Sequence, residues 1–257
     1  MMLMTFYAIQ SFRFFYFENN EIIMAALDDA NTLSVSQDAK RLKNNEGDVI
    51  AAYALGSRFW GTANSASDWD LLLVHSDSKR PGNQALHSGQ DLDVTAIHKD
   101  EFVGRVKEHK FTEIVTLWAA TLGCSSRSKE MNPRQILGGK IDSKKLALSV
   151  LEEADRDWRV SKKFADKNDG IKAVRVASHS VRMMMTSVAI CKTGTLSQTV
   201  KLEANDAVTE IRALGNDVST SGWNILETAI VPRVAALRTE LEQIARLDQR
   251  QSLKTIN

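Results

Sequence analysis

Three runs of consecutive apolar residues stand in the first half of the chain, and each predicts a buried β-strand. They cover residues 49–55, 70–74 and 92–97. A short continuous apolar run bounded by turn-forming residues is typical of a strand that is covered on both faces. The segments between the runs, 56–67 and 76–90, contain Gly, Ser and other loop-forming residues. We therefore expect a loop or turn over 56–67 and an exposed loop over 76–90.

The apolar pattern changes to helical spacing after residue 98. Shorter helices are predicted over 36–45, 99–109 and 111–122, and four longer ones over 142–166, 171–192, 200–214 and 222–247. The last of these has an apolar residue every three to five positions from Ile225 to Ile244, which is typical of a helix packed along one side. No strand-like run occurs after Gly139.

These patterns predict an α/β domain with a small mixed sheet, followed by an all-α helical bundle. We place the boundary at the breaks Asn132-Pro133 and Gly138-Gly139, because such dipeptides interrupt regular structure. The first domain then covers residues 24–137 and the second covers residues 138–257.

Residues 1–23 differ in composition from the rest of the chain. They are rich in Phe and Tyr, but Arg13, Glu18 and Glu21 interrupt the apolar run, so a membrane span or a signal peptide is not predicted. Met24 opens a more ordinary sequence. We therefore expect 1–23 to be a non-native or flexible extension, with an element packed on the core as the alternative.

The amino-acid composition limits the class of protein and the cellular compartment, and it leaves the predicted fold class unchanged. The 257 residues are 43% hydrophobic and 25% charged, an ordinary mixture that excludes collagen-like, wholly disordered and coiled-coil chains. The net charge is only +1, so any nucleic-acid site must be local. Cys124 and Cys191 are the two cysteines. They are too few for a disulfide framework, so we expect inert core thiols in a cytoplasmic protein.

Three carboxylates near the second and third predicted strands carry the candidate chemistry. Asp68 and Asp70 are two residues apart, so a strand places both on one face. Two such charges repel unless a cation lies between them, and hard divalent ions with oxygen ligands supply one. Asp93 joins them if the third strand lies beside the second; Asp91 is the alternative third ligand. Three such carboxylates can hold two metal ions for displacement at phosphorus.

The turn after the first strand has the residues expected for phosphate binding. Gly56 allows the backbone to approach a ligand closely, and Ser57 offers a hydroxyl. The next backbone N–H groups along the chain favour anionic oxygens, and Gly61 relaxes the next turn.

Together these residues resemble the signature of the DNA polymerase β nucleotidyltransferase superfamily. The signature is a Gly-Ser pair, a second Gly, and then Ser-Asp-x-Asp followed by a hydrophobic residue. The matching positions are Gly56-Ser57-Arg58, Gly61 and Ser67-Asp68-Trp69-Asp70-Leu71. A looser similarity over roughly residues 48–245, which includes LDVTAIHKDEF, EIVTLW and the H-x-x-R of His179 and Arg182, resembles a predicted branch associated with RNA repair.

The resemblance implies roles for these residues. Asp68 and Asp70 would bind both of two Mg²⁺ or Mn²⁺ ions, and Asp93 would bind the ion that activates the attacking hydroxyl. Gly56 and Ser57 would hold the β- and γ-phosphates of a nucleoside triphosphate. Arg58, Gly61, Ser67, His179 and Arg182 complete the expected nucleotide-binding set. The sequence departs from many relatives at Phe59-Trp60, and we expect Trp60 to pack under the loop, with stacking on a base as the alternative.

One predicted helix also has a basic stripe. Lys172, Arg175, His179 and Arg182 occupy positions i, i+3, i+7 and i+10, so they share a face. The stripe is either solvated or a cationic wall that faces the triphosphate or the acceptor. From residue 140 to 182 there are 11 Lys and Arg against 7 Asp and Glu, a net of +4, so RNA is an expected partner.

The function we predict is metal-dependent transfer of a nucleoside monophosphate from a nucleoside triphosphate to an RNA or tRNA end, with no membrane partner. Two alternatives stay open. One is AMP transfer to a protein, as in toxin–antitoxin systems. The other is a catalytically inactive module that binds nucleotide or RNA.

Overall fold

A computed structural model describes residues 49–63, 67, 69–76, 83–88, 92–119 and 132–254. The predictions for the extension 1–23, the helix 36–45, Asp68, Asp91 and Cys124 lie outside these residues.

The first half of the described chain is built on a mixed four-stranded sheet. Its strands are β1 (Val49–Ala54), β2 (Trp69–His75), β3 (Asn83–Ser88) and β4 (Leu92–His98), in the order β1-β2-β4-β3. β2 and β4 are parallel, whereas β1 pairs with β2 and β3 with β4 in the antiparallel sense. The three apolar runs form the strands β1, β2 and β4, as predicted.

The prediction that the whole of 76–90 is an exposed loop is wrong, because Asn83–Ser88 forms β3. Among the strands that the structure describes, β3 lies at the edge of the sheet and pairs only with β4. An edge strand forms ladder hydrogen bonds on one side only and does not need a continuous apolar sequence. The polar sequence Asn-Gln-Ala-Leu-His-Ser therefore shows little of the apolar pattern that identifies the other three strands.

Two short helices cover this sheet. α1 (Gly56–Trp60) follows β1 directly, and α2 (Lys99–Lys107) follows β4. Phe102 of α2 is fully buried and stacks on Tyr53 of β1, with ring centroids 5.7 Å apart. Trp60 is 6% exposed and meets Phe59 edge-on, which confirms that Trp60 packs under the loop.

The second half of the chain is helical, as predicted. Its elements are α3 (Phe111–Val115), α4 (Pro133–Ile136), α5 (Ser143–Ala165), α6 (Gly170–Thr193), α7 (Gln198–Ala213), α8 (Gly215–Ser221) and α9 (Trp223–Lys254). Asp142, Asp169 and Ser197 cap α5, α6 and α7 by accepting hydrogen bonds from backbone N–H groups three residues later, the standard N-cap arrangement.

Apolar faces of α5, α6, α7 and α9 form the core of the bundle. Val174, Val181 and Leu226 are buried there, and Trp158 meets Trp223 edge-on at 4.9 Å. Burial raises the pKa of the Cys191 thiol to about 11, so it stays protonated and inert near neutral pH. None of the helices within the described ranges is both long and apolar enough to cross a membrane.

The described residues fall into two compact units, and the second begins at Leu137 but also includes Arg105–Val115. The predicted boundary at residue 137 places that segment in the first domain. Its polar contacts explain the difference, because the backbone N–H of Asp142 donates to Nε2 of His109 at 2.9 Å and Lys110 pairs with Glu152 at 3.5 Å. Such long-range contacts carry no sequence signal.

Candidate active site

The register of the parallel strands brings two of the three predicted carboxylates together. Asp70 of β2 is paired with Asp93 of β4, so both side chains lie on the same face of the sheet. Neighbouring strands of a sheet are about 4.8 Å apart. Each aspartate is the second residue of its strand. The carboxylates therefore lie side by side at one edge of the sheet, where the two central strands begin and next to the end of β1. The remaining carboxylate of the predicted set, Asp68, is outside the described residues.

Gly56 lies directly against the Asp70 carboxylate. The backbone N–H of Leu55 donates to the carbonyl of Asp70 at 2.8 Å, which holds the end of β1 beside β2. Gly56 then turns with φ of +58°, and a Cβ placed on it would stand 1.6 Å from Oδ2 and 2.4 Å from Cγ of Asp70. Both the left-handed backbone and the missing side chain are required here. The backbone of Gly56 in the Gly-Ser motif thus lies in close contact with the Asp70 carboxylate.

Two oxygen atoms in this region are buried without a hydrogen-bond partner among the described residues. They are Oγ of Ser57 and Oδ1 of Asp93. A buried oxygen that is left unsatisfied costs about 1–3 kcal/mol, so such atoms in a folded protein call for an explanation. A bound ligand that contacts them would remove that cost, and the two residues are ones that the sequence assigns to phosphate and to metal.

The oxygen donors suit a hard divalent cation. Carboxylate oxygens are the ligands that Mg²⁺ and Mn²⁺ prefer, and the buried, unpartnered oxygen of Asp93 is available to one. No group of three or more His, Cys, Asp or Glu side chains comes together in the part of the chain that the structure describes. The pair Asp70 and Asp93 is therefore the described part of the predicted metal site.

Arg58, Gly61 and Ser67 shape the loop in the structure. Nη2 of Arg58 donates to the carbonyl of Ser67 at 2.9 Å, which ties α1 to the segment that leads into β2. Gly61 ends α1 with a φ of +76°, the left-handed conformation typical of a helix C-cap. These contacts position the chain around Asp70, and the binding of nucleotide by the three residues stays a prediction.

The predicted basic stripe of α6 is not uniform in the structure. Nδ1 of His179 lies 3.0 Å from Oδ2 of Asp157, a buried carboxylate of α5, while the His179 side chain is half exposed. Lys172 pairs with the N-cap residue Asp169 at 3.0 Å. Lys172, Arg175 and His179 are exposed to solvent. Whether the stripe is only solvated or faces a ligand stays open.

Arg182 is the most buried member of the stripe, at 8% exposure. Its Nη2 donates to Oδ1 of Asn205 on α7 at 3.3 Å. Burial, and then the neighbouring guanidinium of Arg212, lower the pKa of Arg182 to about 10. The side chain thus lies between two helices of the second unit, and its role in binding nucleotide stays a prediction.

Sequence reasoning missed the partners of these side chains. Asp157 stands 22 residues from His179 and Asn205 stands 23 residues from Arg182. Neither partner belongs to a motif, and helical periodicity marks which residues face inward but not which residue of another helix they meet.

No family model and no curated protein sequence matches the chain. The solved structures that are similar to it at low identity include the following two. A nucleotidyltransferase-like protein from Exiguobacterium sibiricum 255-15 is 9% identical with a TM-score of 0.30, and the match covers 80% of this chain and 72% of that one. Spectinomycin adenyltransferase AAD(9) from Enterococcus faecialis, solved with ATP and spectinomycin, is 15% identical with a TM-score of 0.42, covering 79% and 94% respectively. Likeness at this level carries no statement about chemistry, so the site rests on its own geometry.

Proposed function

We propose that the chain is a metal-dependent nucleotidyltransferase of the DNA polymerase β superfamily, which transfers a nucleoside monophosphate from a nucleoside triphosphate to the end of an RNA. One observation carries the proposal: Asp70 and Asp93 are register partners on parallel strands, and Gly56 packs its bare backbone against Asp70. The Gly-Ser and Ser-Asp-x-Asp motifs, which are 11 residues apart in sequence, thereby lie close together at the edge of the sheet where β2 begins.

Each residue at this edge of the sheet has a distinct part in the proposed reaction. Asp70 and Asp93, together with Asp68, would hold the divalent ions, and Ser57 would donate its hydroxyl proton in a hydrogen bond to a phosphate oxygen. Gly56 keeps the turn close to Asp70, while Arg58 holds the carbonyl of Ser67 and so fixes the start of β2. The bound ions would neutralise charge on the triphosphate and lower the pKa of the acceptor hydroxyl.

In the transfer itself, the acceptor oxygen forms a bond to the α-phosphorus. The bond from the α-phosphorus to the bridging oxygen of the β-phosphate breaks, pyrophosphate leaves, and the proton of the acceptor hydroxyl passes to solvent. Positioning and electrostatic stabilisation account for most of the catalysis in such reactions, which is why the close fit of Gly56 against Asp70 matters.

The acceptor class is supported by local charge. Although the whole chain has a net charge of +1, residues 140–182 carry an excess of four positive charges. An anionic acceptor such as RNA is attracted to a surface of that sign.

The test is to follow a label on the α-phosphate. The protein is incubated with each of the four labelled ribonucleoside triphosphates and Mg²⁺ or Mn²⁺, in separate reactions with total RNA, total cell protein and spectinomycin. We expect label in RNA, dependence on the metal, and loss of transfer in Asp70→Asn. The matched control is Asp100→Asn, which removes an exposed carboxylate of α2 and should keep full activity.

The other outcomes separate the alternatives. Label in protein would replace the RNA proposal with AMP transfer to a protein, and label in spectinomycin would replace it with transfer to a small molecule. No transfer by a folded protein that still binds nucleotide or RNA would indicate an inactive binding module.

A further inference from the structure

One helix of the bundle core carries positive charge only. α6 (Gly170–Thr193) contains Lys172, Arg175, Arg182 and Lys192 together with His179, and it contains no Asp or Glu. Arg175, His179 and Arg182 fall at i, i+4 and i+7, so they project from one side of the helix. A helix of 24 residues without a carboxylate offers these charges no acidic partner on their own element.

The neighbouring helix presents basic residues from one side as well. On α7 (Gln198–Ala213), Lys201, Asn205 and Arg212 occupy positions i, i+4 and i+11 and share a face. The acidic residues of α7 are Glu203, Asp206 and Glu210, which project from the opposite face. α7 therefore has a basic face and an acidic face, although its net charge is small.

Specific contacts bring the two basic faces together. Arg182 of α6 donates to Asn205 of α7, and Nε of Arg212 approaches Oγ of Ser178 on α6 at 3.4 Å. Arg175 is close enough to Arg212 to lower its pKa, after the larger effect of burial. We call the surface formed by Arg175, Lys201 and Arg212 the arginine face. Arg182 is buried at 8% exposure and lies close enough to Arg212 to be affected by its charge.

This arrangement places like charges near one another, and two of them have no acidic partner among the described residues. Like charges that lie close together destabilise one another, and neither Arg175 nor Arg212 forms an ion pair with any carboxylate that the structure describes. Elsewhere in the same unit arginines do have acidic partners, since Arg233 pairs with Glu210 at 2.8 Å and Arg238 pairs with Asp155. Arg175 and Arg212 therefore differ from these arginines in lacking a described carboxylate partner.

We propose that the arginine face binds backbone phosphates of the RNA acceptor, an inference that rests on the proposed function and names its acceptor subsite. Guanidinium groups match phosphate geometry and stay charged at neutral pH. Lys201 and Arg212 are 11 residues apart, which is about 16 Å along a helix, so the face is longer than one phosphate group. That length fits consecutive phosphates of a nucleic-acid strand. The positive charge of the face repels a cationic acceptor.

The experiment measures RNA binding without chemistry. A short fluorescent single-stranded RNA is titrated by anisotropy, across a range of salt concentrations, into full-length protein that carries Asp70→Asn, so that no transfer occurs. Binding is then measured with Arg175→Ala/Arg212→Ala added. Each phosphate contact contributes about 0.7 to the slope of log K against log salt for single strands. Losing two contacts should lower that slope by about 1.4 and weaken binding about 25-fold at roughly 0.1 M salt.

A control of equal charge tests whether the effect is local. Lys162→Ala/Lys163→Ala removes two exposed lysines near the end of α5, and we expect it to change the slope much less. Arg175→Lys/Arg212→Lys should recover most of the salt slope and part of the affinity, because charge returns without the planar fork.

Three results would overturn the inference: an unchanged slope in the arginine double variant, an equal loss in the lysine control, or displacement of the RNA from this face by nucleoside triphosphate. Thermal unfolding of each variant excludes misfolding as the cause of a loss. Transfer activity is measured separately in proteins with an intact Asp70, so failure of the RNA subsite and failure of the proposed chemistry are distinguishable.

Discussion

The replacement Gly56→Ala tests whether the turn after β1 is built around Asp70. The new Cβ would stand 1.6 Å from Oδ2 of Asp70, whereas an ordinary contact begins at 3.4 Å. The carboxylate would have to move by roughly 1.8 Å, either by a change of rotamer or with its strand. A metal ligand cannot move that far and keep its coordination.

The expected magnitude has two parts. The left-handed φ of +58° costs a non-glycine residue about 1–2 kcal/mol of folding stability. Misplacing a catalytic group by about 1 Å reduces the rate by about 100-fold, so we expect at least that loss of nucleotide transfer and weaker metal binding. The loss in activity should therefore exceed what the loss in stability explains.

Gly138→Ala is the matched control. Gly138 has a φ of +63°, close to that of Gly56, but a Cβ there would meet nothing within 4 Å. Both variants are assayed by urea unfolding and by transfer of α-phosphate label. We expect similar backbone strain in both and a large loss of transfer in Gly56→Ala alone.

The result that refutes this reasoning is a Gly56→Ala protein that folds and transfers at the rate of the original chain. Equal losses of activity in both glycine variants would also refute it, because the effect would then be backbone strain in general. A double-mutant cycle with Asp70→Ala adds a direct check: the two changes should be coupled by about 0.5–3 kcal/mol in stability, as contacting residues are.

Three further predictions rest on particular contacts. Asp93→Asn should reduce metal-dependent transfer by about 100-fold or more, because a metal ligand is lost. The urea midpoint should stay within its error, because the change removes one of two neighbouring like charges. Unchanged transfer would exclude Asp93 from the site. Burial lowers the pKa of His109, whose Nε2 accepts from the backbone N–H of Asp142, so its contribution to stability is complete above about pH 6.5 and declines as pH falls below that value. Urea unfolding of the original chain and of His109→Asn across this range should show a smaller pH dependence in the variant, and identical slopes would contradict the assignment. Gly170→Ala should cost about 1–3 kcal/mol, because its Cβ would lie 2.3 Å from the carbonyl oxygen of Gly215; Gly104→Ala, where a Cβ meets nothing within 4 Å, should instead stabilise α2 by about 0.5–1 kcal/mol.

The parts of the fold that depend on local pattern were predictable. The three apolar strands and the four long helices were found because burial on two faces, or on one stripe, leaves a direct mark in the sequence. β3 was missed because an edge strand with one hydrogen-bonding partner needs no such mark. The assignment of Arg105–Val115 to the second unit depends on His109 and Lys110 meeting residues more than 30 positions away.

The candidate site shows the same division. Period-two spacing and the Gly-Ser motif indicated Asp70 and Gly56, but only the register shows that Gly56 is pressed against Asp70 and that Asp93 is its pair. In the bundle, the basic spacing of α6 was visible in sequence. The burial of Arg182 and the approach of Arg212 were not, because they depend on how α6 and α7 pack.

The most direct test of the central claim is a titration with Mn²⁺, monitored by electron paramagnetic resonance, in the presence of a non-hydrolysable nucleoside triphosphate. The original chain should bind two Mn²⁺ ions with the triphosphate, Asp70→Asn and Asp93→Asn should each bind them much more weakly, and Asp100→Asn should match the original. Equal Mn²⁺ binding by all four proteins would contradict the assignment of Asp70 and Asp93 as the metal-binding pair.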